Sequence, residues 1–395
     1  MNVVVLGKNY LTTLGVIRSL GICGLNVDLI FAGNNQHGEI VAASKYINRA
    51  VFINGRDDDL IIEKLSELYF QYETKTILIT TDDYTTRLID MNRDSLSKMF
   101  LLPFVSNENT IFSLMNKATQ IKVAESCGFN VAKSWEIALN PEIEIPGDIS
   151  YPCFCKPLIS VLGSKQEMGV CYTEQELKCK LEKIKLGNSL CKAFVQEYIN
   201  ITKEYSISGV CTGDNIVLPC VVQKERVAKH SVGVTLMGKL KPLNVVSEVE
   251  ENILNFVKTI GYNGLFDVEV FQCGNKLYFG EFNFRSSSFI GAVTAIGGCN
   301  LPAVWVEYLN KGFVQDSYNV SFEKTFLNDK VCWEDYIYAF MTKRKMKDYY
   351  AKADYHLLCS ENDSKPEEVF LKMMDTEKKR HFKNVIKRIL KSVKL

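Results

Sequence analysis

The segment Gly264–Ser287, GLFDVEVFQCGNKLYFGEFNFRSS, narrows the folding choices of this chain more than any other. Two apolar and aromatic runs flank Cys273-Gly274-Asn275, the pattern of a β-hairpin. In the second run Glu281, Asn283 and Arg285 recur every two residues and share one face, while Phe282 and Phe284 take the other. In the first run Asp267 and Glu269 alternate in the same way with Phe266, Val268 and Val270. Each strand therefore has a face that packs and a face whose charges must be satisfied. Two carboxylates on a central sheet face repel each other and lose solvation, at several kcal/mol per ion unless compensated. Oxygen ligands from Glu269, Glu281 and Asn283 suit Mg²⁺, a hard ion that shares its shell with phosphates. Register decides whether the two acids meet. They do so across a three-residue loop centred on Gly274, whereas a two-residue Gly274-Asn275 turn puts them on opposite faces unless a bulge intervenes. An exposed face with an ordinary salt-bridged ladder is the alternative.

The chain has 395 residues, enough for two or three domains. Its 47% hydrophobic and 24% charged residues are those of a globular protein. A net charge of +1 makes no electrostatic case for nucleic acid. The 13 cysteines form no Cys-x-x-Cys pair, and several sit inside apolar runs, such as Cys211 and Cys220. Scattered thiols indicate a reducing compartment, and with only 4 separated histidines they argue against a structural zinc site. The N-terminus, MNVVVLGKNY, reads as a first strand rather than a signal peptide, and no apolar run is long enough to span a bilayer.

Residues 2–6 suit a buried parallel strand, followed by a turn at Gly7–Asn9, a helix and a second strand, Val27–Phe31. A later strand, Thr76–Thr80, ends in Thr81-Asp82-Asp83-Tyr84. This alternation predicts an α/β, doubly wound parallel sheet in the N-terminal part. Ligands of such sheets sit at the carboxyl ends of strands, which makes Asp82 and Asp83 candidate substrate contacts. Solvated loop acids or a helix N-cap are the alternative. A helix over Ile111–Cys127, a strand near Val131–Ile137 and a loop over 141–150 follow. From Tyr151 to Arg285 short strands dominate, giving an α+β region, and a last helical segment, Ala303–Asn310, precedes a Lys- and Tyr-rich end.

Two further segments carry chemistry. In Tyr151–Val170, Lys156 ends an apolar strand before a loop with Gly163, Ser164 and Gly169. Such a lysine and loop can hold phosphates, although this is not a Walker A sequence. In Phe194–Ser208, a strand leads through Gln196-Glu197-Tyr198-Ile199 and a polar turn to Glu204. This hinge can offer backbone groups to an adenine edge and a carboxylate to ribose. A solvated lysine and two exposed acids are the plain alternatives.

The ordered set Lys117, Lys156, Gly163–Gly169, Gln196–Ile199, Glu204, Glu269 and Glu281-x-Asn283-x-Arg285 resembles the ATP-grasp superfamily over roughly residues 1–315. The resemblance implies a pre-ATP-grasp domain over 1–108, a small subdomain over 109–195, a large subdomain over 196–315, and a helical extension over 316–395. It implies ATP and Mg²⁺, with Mn²⁺ as a substitute. Lys117 and Lys156 would contact the phosphates, with the Gly163-Ser164 loop closing over them. Glu197 and Ile199, flanked by Gln196 and Tyr198, would meet adenine through the backbone, and Glu204 the ribose. Glu269, Glu281 and Asn283 would hold the metal, and Arg285, with Lys156, would act in catalysis. Phosphoryl transfer depends on such positioning and cation clamps.

Within the superfamily the layout resembles bacterial carboxylate–amine ligases of the D-aspartate ligase-like and surface-polysaccharide-associated kinds. Ser44-Lys45-Tyr46 and Ala353–Pro366 contribute to that likeness. It implies an ATP-dependent ligase joining a small-molecule carboxylate to an amine through an acyl phosphate, with a cell-envelope precursor as one substrate class. Carboxylase or carbamoyl-phosphate chemistry, or a nucleotide-binding module without catalysis, are the other readings. A loop over Val222–Gly238, with Lys224 and Arg226, would admit the second substrate. Ser286 to Ser288 replace the glycines expected after the arginine, so Ser286 joins the candidate substrate contacts.

From Lys378 the chain is basic without an acidic residue. Phe382, Val385, Ile386, Ile389, Leu390 and Val393 recur at helical spacing with basic residues around them. A cytoplasmic enzyme touching the inner membrane face through 378–395 is one expectation. A stripe docked on the enzyme or in a homodimer is the other.

Overall fold

The computed structural model describes residues 2–72, 74–106, 109–159, 168–187, 192–230, 233–312 and 320–392, with side chains to 387. Gly163 and Ser164 lie outside them. The described residues build three sheets.

The first sheet is parallel and consists of β1 (Val3–Gly7), β2 (Val27–Gly33), β3 (Ile47–Asn54), β4 (Thr76–Thr80) and β5 (Phe100–Leu101), in the order β3-β2-β1-β4-β5. Its central strands, VVVLG and TILIT, are buried throughout, because helices cover both faces of a parallel sheet. The order reverses between β1 and β4, so their carboxyl ends flank a crevice. Both ends feed a helix start. Asn9 caps helix Tyr10–Gly21, and Asp82 caps helix Asp83–Met91 by accepting from the Thr85 N–H. Gly7 permits the close approach here: a Cβ on it would lie 2.2 Å from Thr13 Oγ1 and 2.5 Å from Thr81 Oγ1.

The second sheet has the order β7-β10-β8-β9, from β7 (Ser134–Ala138), β8 (Cys153–Pro157), β9 (Gly169–Cys171) and β10 (Lys192–Glu197). Helix Glu174–Gly187 covers it through Leu177, Leu181 and Ile184.

The third sheet runs β16-β15-β11-β13-β14-β17-β18. Its strands are β11 (Lys203–Thr212), β13 (Val221–Val227), β14 (Thr235–Lys241), β15 (Tyr262–Cys273), β16 (Lys276–Asn283), β17 (Thr325–Leu327) and β18 (Tyr355–His356). The short β6 (Phe104–Val105) pairs with β15, and β12 (Asn215–Val217) with β11. Helix Ser247–Ile260 backs the sheet, and Phe256 stacks on Phe282 at 4.9 Å.

Several local expectations change. The helix expected over Ile111–Cys127 is two, Ile111–Leu114 and Lys117–Ser126, because the Asn116 side chain accepts from the Ala118 and Thr119 N–H groups and restarts the helix. The strand-dominated region contains two 14-residue helices, Glu174–Gly187 and Ser247–Ile260. The Val222–Gly238 loop is mostly the β13–β14 pair.

The C-terminal residues form helices Asp329–Ile337, Lys343–Lys352 and Lys365–Ser392. They are tied to the first sheet by a buried clasp. Arg18 Nε donates to Asp363 Oδ2 at 2.9 Å, and its other nitrogens donate to the carbonyls of Leu358 and Asp363, both at 2.8 Å. Ser44 Oγ and the Lys45 N–H complete the Asp363 carboxylate. Ser44-Lys45-Tyr46 and the late segment, remote in sequence, therefore meet.

Candidate active site

The β15–β16 hairpin turns through Gly274-Asn275, with Cys273 opposite Lys276 and Gly274 at φ +57°. That two-residue turn alone would separate Glu269 from Glu281. A bulge at Gly280 shifts the register, so that Val270 faces Phe279 while Glu269 faces Glu281 and Asp267 faces Asn283. Glycine is needed there: a Cβ at 280 would sit 2.8 Å from the Glu269 carbonyl oxygen and from the Phe271 ring. The bulge is why the apolar positions switch from Leu277 and Phe279 to Phe282 and Phe284, all buried together.

The polar face thus aligned is matched by cations from other elements. Lys117, at the start of the restarted helix, places Nζ 3.2 Å from Glu281 Oε1. Lys224, from within β13, lies 2.9 Å from Glu204 Oε2 and 3.7 Å from Glu269 Oε1. Arg285 reaches Asp83 through Nε at 2.9 Å and Asn283 Oδ1 at 3.1 Å. Lys156, at the end of β8, is 9% exposed and lies 5.5 Å from the Phe194 ring centroid. Asp267 accepts from Ser206 Oγ at 2.6 Å and Ser208 Oγ at 3.0 Å.

Burial sets the proton affinities. It lowers Lys156 to about 8, assisted by the nearby Lys117 charge and opposed by Glu281 and Glu269. It raises Glu269, against the pull of Lys224, and Asp267, against the Ser206 hydroxyl. Burial works against the charge of Lys224, but Glu269 and Glu204 hold it in the ammonium form. Desolvation opposed by specific charge partners is what makes this face the candidate site. The donor set of Glu269, Glu281 and Asn283 is all oxygen, which fits a hard divalent ion. Each is turned toward a cation, Glu269 to Lys224, Glu281 to Lys117 and Asn283 to Arg285.

A cavity of ≈ 650 Å³ opens between this face and the crevice of the parallel sheet. Asp267, Glu269, Lys224 and Arg285 line one wall, and Lys8, Asn9, Thr81, Asp82 and Asp83 the other. Asp83 pairs with Arg285. Asp82 is the N-cap and lines the cavity as well, its second oxygen having no partner among the described residues. The Lys8-Asn9 pair was missed, although the strand-end argument that selected Asp82 applies equally to the residues after β1. Asn328 and Lys330 also face the cavity from the C-terminal extension, where no sequence signal pointed to it.

Ser286 is 1% exposed and its hydroxyl is not on the cavity wall, which is formed by Ser287 and Ser288. Arg285 donates to the Ser286 carbonyl at 3.2 Å, and the Ser286 hydroxyl is buried with no partner among the described residues. Arg226 lies past a register shift in β13, exposed, and lines a second cavity of ≈ 730 Å³ with Glu204 and Lys203. Lys224 lines both cavities and is a buried strand lysine rather than a loop lysine. In the hinge, Gln196 is buried in β10, and the Glu197 side chain accepts from the Lys133 N–H at 2.9 Å. The N–H groups of Glu197 and Tyr198 go to the carbonyls of Lys133 and Pro152. Residues 198–202, including the half-buried Ile199, have no regular structure. The hinge N–H donors at 197 and 198 are therefore already engaged within the small sheet.

No family model matches the sequence. The carbamoyl phosphate synthase large chain of Pseudomonas putida is 28% identical over 168 residues, 41% of this chain and 15% of that protein's length. The chain thus spans a small part of such curated relatives. Among solved structures, the L-amino acid ligase of Bacillus licheniformis superposes with a TM-score of 0.61 at 13% identity, covering 82% of this chain and 78% of that one. The biotin carboxylase–ATP-analogue complex of Campylobacter jejuni gives 0.61 at 13% identity, over 82% and 74%. The fold shared by these structures is the ATP-grasp fold, and this chain has it.

Proposed function

We propose that the chain is an ATP-dependent carboxylate–amine ligase. The observation that carries this reading is the bulged hairpin, which puts Glu269, Glu281 and Asn283 on one face with Lys117, Lys156, Lys224 and Arg285 around them, beside a cavity at a strand switch point. Lys117 and Lys156 bind the nucleotide phosphates, Gln196–Ile199 borders the adenine, and Glu204 takes the ribose hydroxyls. Glu269, Glu281 and Asn283 would hold magnesium, which would supply charge neutralisation for the phosphates. Arg285 steadies the transferring phosphoryl group and the acyl phosphate, whose good leaving group lets an amine displace it. Lys224, with Ser287 and Asp83 at the cavity wall, orients the carboxylate substrate. The Gly163-Ser164 loop is assigned to exclusion of water that would hydrolyse the anhydride.

A cavity of ≈ 650 Å³ has room for an acid of amino-acid size. The fold is shared equally with an L-amino acid ligase and with biotin carboxylase, so the substrate test decides between the two chemistries. ADP release measured over a panel of amino acids, with and without hydroxylamine, tests the ligase reading. Acyl hydroxamate with one acid is the expected result. ADP release dependent only on bicarbonate, or tight ATP binding without turnover, overturns it.

The described cysteines are all free thiols, in keeping with a cytoplasmic setting. No helix of the described residues is long and apolar enough to cross a membrane. Helix Lys365–Ser392 is anchored by the buried Phe370 and Met374, while Phe382 (66%), Val385 (36%) and Ile386 (40%) are exposed farther along. On this reading the basic tail rests on an anionic membrane face and brings the enzyme to an envelope precursor. Unchanged binding to anionic vesicles after deletion of residues 378–395 would reject that part.

A further inference from the structure

Three ligand types of a zinc site meet in the C-terminal extension, away from the nucleotide residues. Asp329 begins the helix after β17, His356 ends β18, and Cys359 follows three residues later. One ligand atom from each lies within 4.8 Å of the others. Asp329 Oδ1 is 2.8 Å from His356 Nδ1 and 3.4 Å from Cys359 Sγ, and Asp329 Oδ2 accepts from the Leu358 N–H at 2.9 Å.

We propose that Asp329, His356 and Cys359, with a fourth position left to water, form a zinc-binding site that staples the C-terminal extension to the third sheet. Tetrahedral zinc holds sulfur at about 2.3 Å and nitrogen or oxygen at about 2.0–2.2 Å. Ligand atoms around one ion are then about 3.3–3.6 Å apart. The Asp329–Cys359 separation already has that value, and the Asp329–His356 hydrogen bond needs to open by only a few tenths of an ångström.

The surroundings are those of a metal ligand set. The His356 ring turns Nδ1 to the cluster, where it meets Asp329 Oδ1. Tyr350 stacks on the same ring at 4.9 Å. Asp329 is fully buried, and its second oxygen is held by backbone, as an outer-shell contact requires. The sequence hid the site because His356 and Cys359 lie far from Asp329 along the chain, and only the parallel pairing of β17 with β18 brings them together. Asn328 and Lys330, on either side of Asp329, face the ≈ 650 Å³ cavity, so the staple would brace one of its walls.

Cobalt substitution tests the site in the full chain. After chelation, one equivalent of Co²⁺ should give the visible bands of tetrahedral coordination and a near-ultraviolet thiolate-to-cobalt charge-transfer band. The oxygen-only set of Glu269, Glu281 and Asn283 cannot produce the latter. Cys359→Ser, nearly isosteric, should remove the charge-transfer band, and His356→Gln should weaken binding by roughly 100-fold. Zinc should raise the melting temperature of the wild type but of neither variant. A wild type without the charge-transfer band, or one that Cys359→Ser leaves intact, overturns the proposal and makes the cluster a hydrogen-bonded His–Asp–Cys network.

Discussion

Two buried ionic clusters in this molecule differ in how completely they are satisfied. In the Arg18–Asp363 clasp, the guanidinium donates to a carboxylate and to backbone carbonyls, while the carboxylate receives Arg18, Ser44 and the Lys45 N–H. The two side chains are 7% and 2% exposed, and neither lines either large cavity. On the β15–β16 face, by contrast, Glu269 and Glu281 are each turned to one lysine, at distances up to 3.7 Å, Asp267 has only serine hydroxyls, and Lys156, Glu269 and Asp267 are displaced from their ordinary proton affinities. The first cluster is closed and holds two parts of the chain together. The second is left open toward a cavity, where partners for its charges can enter.

Substitutions should separate the two. Glu281→Gln keeps shape and hydrogen bonding but removes the charge that the metal assignment needs, so turnover should fall by about 100-fold or more with the melting temperature little changed. Wild-type hydroxamate formation would break the assignment. Asp363→Ala should do the reverse. It leaves Arg18 buried without a counter-charge, costing about 3–5 kcal/mol in denaturant unfolding, with turnover per folded molecule preserved. Replacing both partners by well-packed apolar residues should recover most of that loss, because the desolvation penalty goes with the charges. A double variant as unstable as Asp363→Ala would show that the backbone contacts of Arg18, rather than the pair, hold the extension.

The same contrast explains what was legible in the sequence. The parallel strands were visible because VVVLG and TILIT are apolar throughout, and the acids of the hairpin because they alternate with aromatics. The meeting of Glu269 and Glu281 depended on a bulge, whose trace is the parity switch of apolar positions across Gly280. Helix Ser247–Ile260 is not in the strand-dominated reading of that region, although Val249, Ile253, Phe256, Val257 and Ile260 have helical spacing and Gly261, at φ +61°, ends it. What no local pattern carries is pairing between distant segments. Lys224 reads as a loop lysine until β13 is placed beside β11, and Asp363 reads as a surface acid until Arg18 reaches it.

Lys156 offers the finest probe of the open cluster. Burial, with Lys117 nearby, lowers it from 10.5 to about 8, so the folded protein binds its proton more weakly than the unfolded chain. Between about 8 and 10.5 the unfolded state therefore carries the extra proton, and this lysine makes stability rise with pH across that window. Nucleotide binding has the opposite sign, because the phosphates need the ammonium form. Affinity for ATP should fall as pH rises through about 8, by up to about tenfold per unit, while bound phosphates pull the proton affinity back up. Lys156→Met should flatten both profiles and weaken binding at pH 7. If binding by calorimetry remained independent of pH from 7 to 9.5 in the wild type, with Lys156→Met equally tight, Lys156 would belong with Arg18 among the charges that serve only to hold the fold.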